Sequence, residues 1–160
     1  MIIDTLITDR TQADVDRVKA LTAKWLNGTI TSSEKTEWNG LMKGAWNYSD
    51  WNRIGNAEKY IAAILNSSGR SVTVTAPTNW TRNYIMTKAR ETTFLTDLNT
   101  VRNNVNNSGI PTPPTTLNFM TYEMANRIEQ ILVDTYNSII RERADFEISG
   151  IAVGGVNGGL

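Results

Sequence analysis

The sequence predicts a mainly α-helical protein: a bundle of about four to five helices with one short β element and extended N- and C-terminal arms. Three observations support this fold class. Apolar residues recur at helical spacing, capping residues stand before these stretches, and segments containing glycine or proline separate them. With 160 residues, the chain suits one domain or two small helical lobes that share a core.

The chain is predicted to begin with an extended arm, residues 1–10, that leads into a helical domain, residues 11–146. Asp9 or Thr11 is expected to cap the first helix, because their side-chain oxygens can accept hydrogen bonds from its first amides. Gly28, following an asparagine, is expected to end this helix. Its apolar stripe consists of Val15, Val18, Leu21 and Trp25.

Two further helix starts are predicted before residue 68. Thr31 and Glu34 have the spacing of a capping box, which predicts a short helix that ends near Gly40 or Lys43. Ser49 is expected to cap the third helix, which ends at the Asn-Ser-Ser-Gly sequence. The apolar stripe of this helix consists of Trp51, Ile54, Ile61 and Leu65.

Residues 70–76 change the period of the pattern, because valine and alanine alternate there with threonine. This alternation is typical of a half-buried strand, and Pro77 would close it. A strand needs a partner, and the N-terminal arm and residues 147–153 are both candidates. The strand would join two lobes, residues 11–68 and 78–146.

The second half of the chain predicts two more helices. The fourth is expected to start near Thr87 and to end at Gly109, where a stiff proline-rich connector follows. Thr121 is expected to cap the last long helix. Glycines then recur through residues 147–160, which favours an extended C-terminal arm.

Composition argues against several functional classes. The chain has no cysteine and no histidine, so it lacks thiolate nucleophiles, the commonest metal ligands and the usual general base. Lys+Arg and Asp+Glu balance at 16 each and are interleaved, which does not favour nucleic-acid binding. No apolar run approaches the length that spans a bilayer. We therefore expect no enzymatic activity, cofactor, metal, nucleic acid or membrane partner.

The aromatic stretch around residue 46 is the best candidate for a contact site. Trp46 and Tyr48 could stack on a sugar while Asn47 and Asn52 form hydrogen bonds with it, but packing against the core is favoured for the aromatic side chains. Trp38 lies in a short polar helix, which favours an interface. Trp25 and Trp51 lie on helical stripes and are expected in the core.

Five stretches, in this order, resemble small tail-associated structural proteins of phages and prophages of Gram-positive bacteria. They are "LITDRTQADVDRVKAL", "WNYSDWNRIGNAEKYI", "VTVTAPTNWTRNYIMT", "LTDLNTVRNNV" and "TYEMANRIEQILVD". "TNWTRNYIMT" resembles an Asp-Trp-Thr-Arg-…-Ile-Pro-Thr element, with Asn79 in place of the acid and Met86 in place of the proline. "FEISG" resembles an aromatic-x-Tyr-Ser-Gly element, with Ile148 in place of tyrosine.

The resemblance implies a virion structural protein of the tail tip, baseplate or fibre-attachment region, assembled in the bacterial host cytoplasm. Its partners would be other virion proteins and further copies of itself in a homo-oligomer. A cell-wall glycan-binding module and a capsid decoration or head fibre protein are the alternatives. Assembly would use the N-terminal arm and the C-terminal arm, and in the latter particularly Ile148, Ser149, Gly150, Ile151 and Val153.

Overall fold

The computed structural model describes the backbone of residues 1–154 and the side chains of residues 1–146. The helical bundle is confirmed, since a short 3-10 helix (Ile2–Thr5) and five α-helices make up the regular structure of this part of the chain. The α-helices are α1 (Gln12–Leu26), α2 (Ser32–Asn39), α3 (Tyr48–Ser67), α4 (Lys88–Asn103) and α5 (Tyr122–Gly154).

Capping side chains define the helix starts. Thr11, one of the two caps expected for α1, forms a capping box with Asp14, and Thr31 forms the predicted capping box of α2 with Glu34. The prediction that Ser49 caps α3 is wrong by two residues. Asn47 is the cap, because its side chain accepts from the amide of Ser49 at 2.9 Å, while Asp50 accepts from the amide of Asn47 at 2.8 Å.

The three long helices α3, α4 and α5 run parallel. Near their N-terminal ends, Trp51 of α3 meets Phe94 of α4 with ring centroids 4.9 Å apart, and Arg53 of α3 bonds Glu129 of α5 at 3.0 Å. Towards their C-terminal ends, Arg143 of α5 donates to Ser67 of α3 at 2.7 Å. Each connection, residues 68–87 and 104–121, must therefore return along the bundle.

Residues 70–76 do not form the predicted strand, and none occurs among residues 1–154. Their alternation is instead that of an extended connector packed on helices, with Val72 and Ala76 buried. Helix side chains replace the partner strand: Asn66 bonds both backbone polar groups of Val72, at 2.7 and 2.8 Å. Asp97 accepts from the amide of Thr75 at 2.7 Å. Apolar alternation reports one-sided burial, which a helix surface satisfies as well as a sheet.

One hydrophobic core joins the parallel helices, the 3-10 helix and the connectors. Both predicted lobes, residues 11–68 and 78–146, contribute to it. Helices α1 and α2, by contrast, supply none of its described residues, and they pack on each other beside the bundle. The large fully buried aliphatic side chains of the core are Ile54, Ile61, Leu65, Leu98, Val101, Ile128, Ile131, Leu132 and Ile139.

Both predicted arms differ from the structure. In residues 1–10, the 3-10 helix places Ile3 in the core, and the last residue of this segment, Arg10, is buried. The C-terminal arm does not begin at residue 147, because α5 continues to Gly154. A glycine such as Gly150 costs a helix about 1 kcal/mol, too little to end a long one. The assembly residues Ile148, Ser149, Gly150, Ile151 and Val153 thus lie within α5, and residues 155–160 lie outside the described part.

Candidate functional site

A buried network of four charges joins the N-terminal segment to α3 and α5. Arg10 donates to Asp50 at 3.0 Å and to Glu129 at 2.6 Å, and Arg53 bonds the same two carboxylates. The exposed fractions of the Arg10, Asp50 and Glu129 side chains are 3, 5 and 0%. Two guanidinium groups thus balance two carboxylates away from water, which is the condition for tolerating such burial.

The network also fixes the backbone of the N-terminal segment. Glu129 accepts from the amide of Ile7 at 2.6 Å, and Asn126 bonds both the amide and the carbonyl of Arg10, at 2.9 and 2.8 Å. Burial alone would lower the pKa of Arg53, but its bonds to Glu129 and then Asp50 raise it overall. Because each guanidinium group bonds both carboxylates, we interpret these ion pairs as structural.

A cavity of about 480 Å³ opens beside this network, between α1 and the N-terminal end of α5. We call it the α1–α5 cavity; its walls include Arg10, Val15, Lys19, Trp46, Thr121 and Ala125. The parallel arrangement places the N-terminal ends of α3, α4 and α5 on this side of the bundle, where helix dipoles favour negative charge. Each first turn contains an acidic residue that interacts favourably with the helix dipole: Asp50, Glu91 and Glu123.

Two N–H groups of cavity residues are buried without an acceptor among the described residues: Nε of Arg10 and Nε1 of Trp46. The guanidinium carbon of Arg10 lies over the Trp46 ring, 5.3 Å from its centroid. Trp46 is half-buried and packs against the core, with Trp51 edge-on at 5.1 Å. Trp46 therefore packs against the core, as the sequence favoured, and it also lines a cavity.

The other three candidate contact residues, Trp38, Asn47 and Tyr48, line a different concavity. This α2–α3 groove has a volume of about 280 Å³ and also includes Thr22 and Arg82. All three candidate residues are less than half exposed. The structure thus brings Trp38, Asn47 and Tyr48 together and separates them from Trp46.

Trp38 and Trp25 clamp α1 to α2. Their rings stack with centroids 4.8 Å apart and planes 13° apart, and the Trp38 indole donates to Thr22 at 3.1 Å. The Lys35 ammonium lies 4.9 Å from the Trp25 centroid. Trp25 was expected in the core and is instead 38% exposed, because the stripe of α1 faces a short polar helix rather than the bundle.

Glu58 is a fully buried carboxyl group that the sequence analysis missed. Its two oxygens have no hydrogen-bond partner among the described residues, and burial, followed by the charge of nearby Asp97, raises its pKa well above the usual value. Lys59 opposes this shift weakly. The available signal was its position on the apolar stripe of α3, between Ile54 and Ile61.

Phe119 was also missed. It lies just before α5, is 95% exposed and adopts a φ of 57°, a left-handed conformation that is uncommon for a bulky residue. Other large apolar side chains on the surface are Leu26, Leu41, Ile85 and Phe146. An aromatic side chain that is both exposed and held in a strained backbone is a candidate contact point.

Neither the metal-binding residues, the helix hydropathy nor comparison with known proteins assigns a function to these sites. Among side chains of residues 1–146, no group of three or more metal-binding residues comes together. Within the described helices, none is long and apolar enough to cross a bilayer. No protein-family model, no curated protein and no solved structure matches the chain.

Proposed function

We propose that the protein is a non-enzymatic structural component of a phage virion, which acts by protein–protein assembly in the tail tip, baseplate or fibre-attachment region. The resemblance to tail-associated proteins suggests the particle, and the exposed Phe119 is the observation that supports assembly. Exposing a whole phenylalanine and holding it at positive φ are both unfavourable in the isolated chain. A partner that covers the ring offsets the first of these costs.

The end of α5 is the second element of the proposed assembly surface. Arg143 pairs with the last turn of α3, which ends at Ser67, and α5 then continues to Gly154. Helical segments gain most of their stability from packing against other elements. Further copies of the chain, in a homo-oligomer, or other virion proteins would stabilise it.

Location is tested by peptide detection and antibody-gold labelling on phage particles from the strain that encodes the chain. Label at the tail end is the expected result. Label on the head would replace the tail role by capsid decoration or a head fibre. Particles that contain no peptide of the chain would contradict any virion role.

The contact surface is tested with Phe119→Asn. Asparagine tolerates positive φ, so this change removes the apolar ring and relieves the backbone together. We expect unchanged or higher thermal stability but loss of incorporation into particles. The control is Thr115→Asn in the same connector, which should incorporate normally. Normal incorporation of Phe119→Asn would exclude Phe119 as the contact.

Deleting residues 150–160 tests the end of α5 in the same assay. The bundle should keep its helix content, because its described core residues all precede position 140, while particle assembly should fail. Assembly at the normal level would show that the C-terminal segment is dispensable.

A cell-wall glycan-binding module remains the second candidate, because Trp38, Asn47 and Tyr48 share the α2–α3 groove. Aromatic and amide side chains in one groove suit a sugar ring. Tyr48→Ala should then abolish binding to purified cell walls without a large change in melting temperature. Trp46→Ala, which truncates a side chain packed on the core, should chiefly lower stability. Equal wall binding by wild type and Tyr48→Ala would reject this candidate.

A further inference from the structure

We propose that the α1–α5 cavity binds a small organic carboxylate, whose oxygens accept hydrogen bonds from Nε of Arg10 and Nε1 of Trp46. This site would operate independently of the assembly surfaces at Phe119 and the end of α5. The proposal rests on three observations. Nε of Arg10 has no acceptor while its other side-chain nitrogens are hydrogen-bonded, positive groups lie near the cavity, and part of the cavity wall is apolar.

One nitrogen of Arg10, Nε, is available to a ligand. One terminal nitrogen donates to the carbonyl of Ile7 at 2.7 Å, and the other serves Asp50 and Glu129. Its Nε–H has no acceptor among the described residues although the side chain is only 3% exposed. A buried N–H without a partner is unfavourable, so an acceptor that reaches it gains a strong hydrogen bond.

The Trp46 indole supplies the second donor close by. The Arg10 guanidinium carbon lies 5.3 Å from the ring centroid, so the two donors belong to side chains in contact with each other. Both nitrogens are covered in the free protein. Entry therefore requires a small shift of the half-buried Trp46 side chain, which makes its indole signal a direct reporter of binding.

Two positive features of the cavity would attract an anion more than a neutral acceptor. Lys19 contributes an ammonium group that is 71% exposed and lies 4.0 Å from the Asp16 carboxylate, and the N-terminal end of α5 contributes the positive end of a helix dipole. Glu123 is the opposing charge on the wall. Its pKa is lowered, chiefly by a hydrogen bond from Tyr122, so it stays ionised at neutral pH. Removing its charge should improve anion binding.

Size and wall chemistry limit the ligand further. About 480 Å³ can hold a ring with one carboxylate, and Val15, Met120 and Ala125 offer apolar contacts to the ring. Suitable probes are benzoate and glucuronate. Their uncharged counterparts, benzyl alcohol and glucose, test whether the carboxylate is needed.

The experiment is a titration followed by ¹H–¹⁵N spectra, in which the five tryptophans give five indole signals. Trp46→Phe identifies the Trp46 signal by its loss. We expect benzoate or glucuronate to move that signal and the Arg10 Nε–H signal, with the uncharged counterparts bound at least about tenfold more weakly. A Trp46 signal that stays in place up to the solubility limit of both carboxylates overturns the proposal. Equal movement with the uncharged counterparts overturns it as well.

Matched variants test the direction of each contribution. Trp46→Phe keeps an aromatic ring but removes the donor, and it should weaken carboxylate binding about tenfold, read from the Arg10 signal. Lys19→Gln should weaken it and Glu123→Gln should strengthen it. Trp25→Phe, an equivalent change outside the cavity, should leave the affinity unchanged. The opposite order for Lys19→Gln and Glu123→Gln would contradict an anion site.

Discussion

Glu58 shows how strongly a single buried residue can make stability depend on pH. It is fully buried on α3 and faces Asp97 of α4, whose carboxylate holds the amide of Thr75. The raised pKa means that the folded state keeps a proton on Glu58 at pH values where the unfolded chain has lost it. Stability is therefore fully present below the ordinary pKa of 4.5 and falls as pH rises towards the folded-state pKa.

Glu58→Gln should remove this dependence. Between the unfolded and folded pKa values, the wild-type free energy of unfolding should fall by about 1.4 kcal/mol per pH unit relative to the variant. Urea unfolding of both proteins at several pH values between 4 and 9 measures the difference. Two curves that stay parallel over this range would show that Glu58 is not protonated in the fold.

The role of a single residue could be predicted from the sequence where it depends on near neighbours in the chain, and not where it depends on distant ones. Thr11, Thr31 and Thr121 could be identified as caps because their signal is local, a hydroxyl a few residues before an apolar stripe. The partners of Arg10 could not, because Glu129 lies 119 residues away and nothing local marks the pair. Trp46 stayed ambiguous for a physical reason, since its ring contacts both core and cavity.

Close backbone packing is what positions α3 at the scale of elements. A Cβ built on Gly55 would lie 2.7 Å from the carbonyl oxygen of Pro77, so the connector crosses α3 in direct contact. Asn52 strengthens the crossing by bonding the amide and carbonyl of Trp80, at 2.7 and 2.9 Å. The connector is thereby attached to the helix without any strand partner.

Gly55→Ala should destabilise the protein by about 1–3 kcal/mol, because the added methyl must displace backbone. This outcome opposes intrinsic propensity, which favours alanine in a helix by about 1 kcal/mol. The control is Ala63→Gly on the exposed face of α3, which should cost only that propensity difference. Chemical denaturation of both variants provides the comparison. A Gly55→Ala variant as stable as wild type would mean that the connector can move away.

The helices could be predicted because their apolar residues recur at helical spacing over several turns. The prediction failed for segments whose conformation depends on packing against other parts of the chain. All five helices were expected from their stripes and caps, but residues 70–76 showed the alternation of a strand while packing on helices. The glycines after residue 147 suggested an early end to α5, although Gly150 does not interrupt it. Contacts with α3 and α4 determine the conformation of residues 70–76. The cooperativity of a long helix carries α5 past Gly150.

The described part of the molecule consists of the parallel bundle of α3, α4 and α5 and a helical hairpin formed by α1 and α2. The side chains of the hairpin are less buried than those of the bundle. Leu21 is the only buried residue of α1, and α2 has none. The hairpin depends instead on the Trp25–Trp38 stack, on two surface ion pairs, Arg17–Glu37 and Lys24–Glu34, and on close packing of Gly44 against α1. Exposed ion pairs contribute little to stability.

Hydrogen–deuterium exchange should therefore separate the two parts. Peptides from α1 and α2 should exchange faster than those from α3 and the first half of α5, because local opening costs less where little apolar surface is buried. Mass spectrometry of proteolytic fragments measures this directly. Uniform protection across residues 12–132 would show that hairpin and bundle open as one cooperative unit.

The pairing of residues 7–10 with residues 126–129 also sets an order of events during synthesis. The chain is made from its N-terminus, so Arg10 must wait for more than a hundred further residues before Asn126 and Glu129 leave the ribosome. Until then its charge stays in water and residues 7–10 lack their partners on α5. Contacts between such distant segments slow folding, and apolar surface remains open to other chains meanwhile. The contacts of the N-terminal segment can therefore form only after α5 has been synthesised.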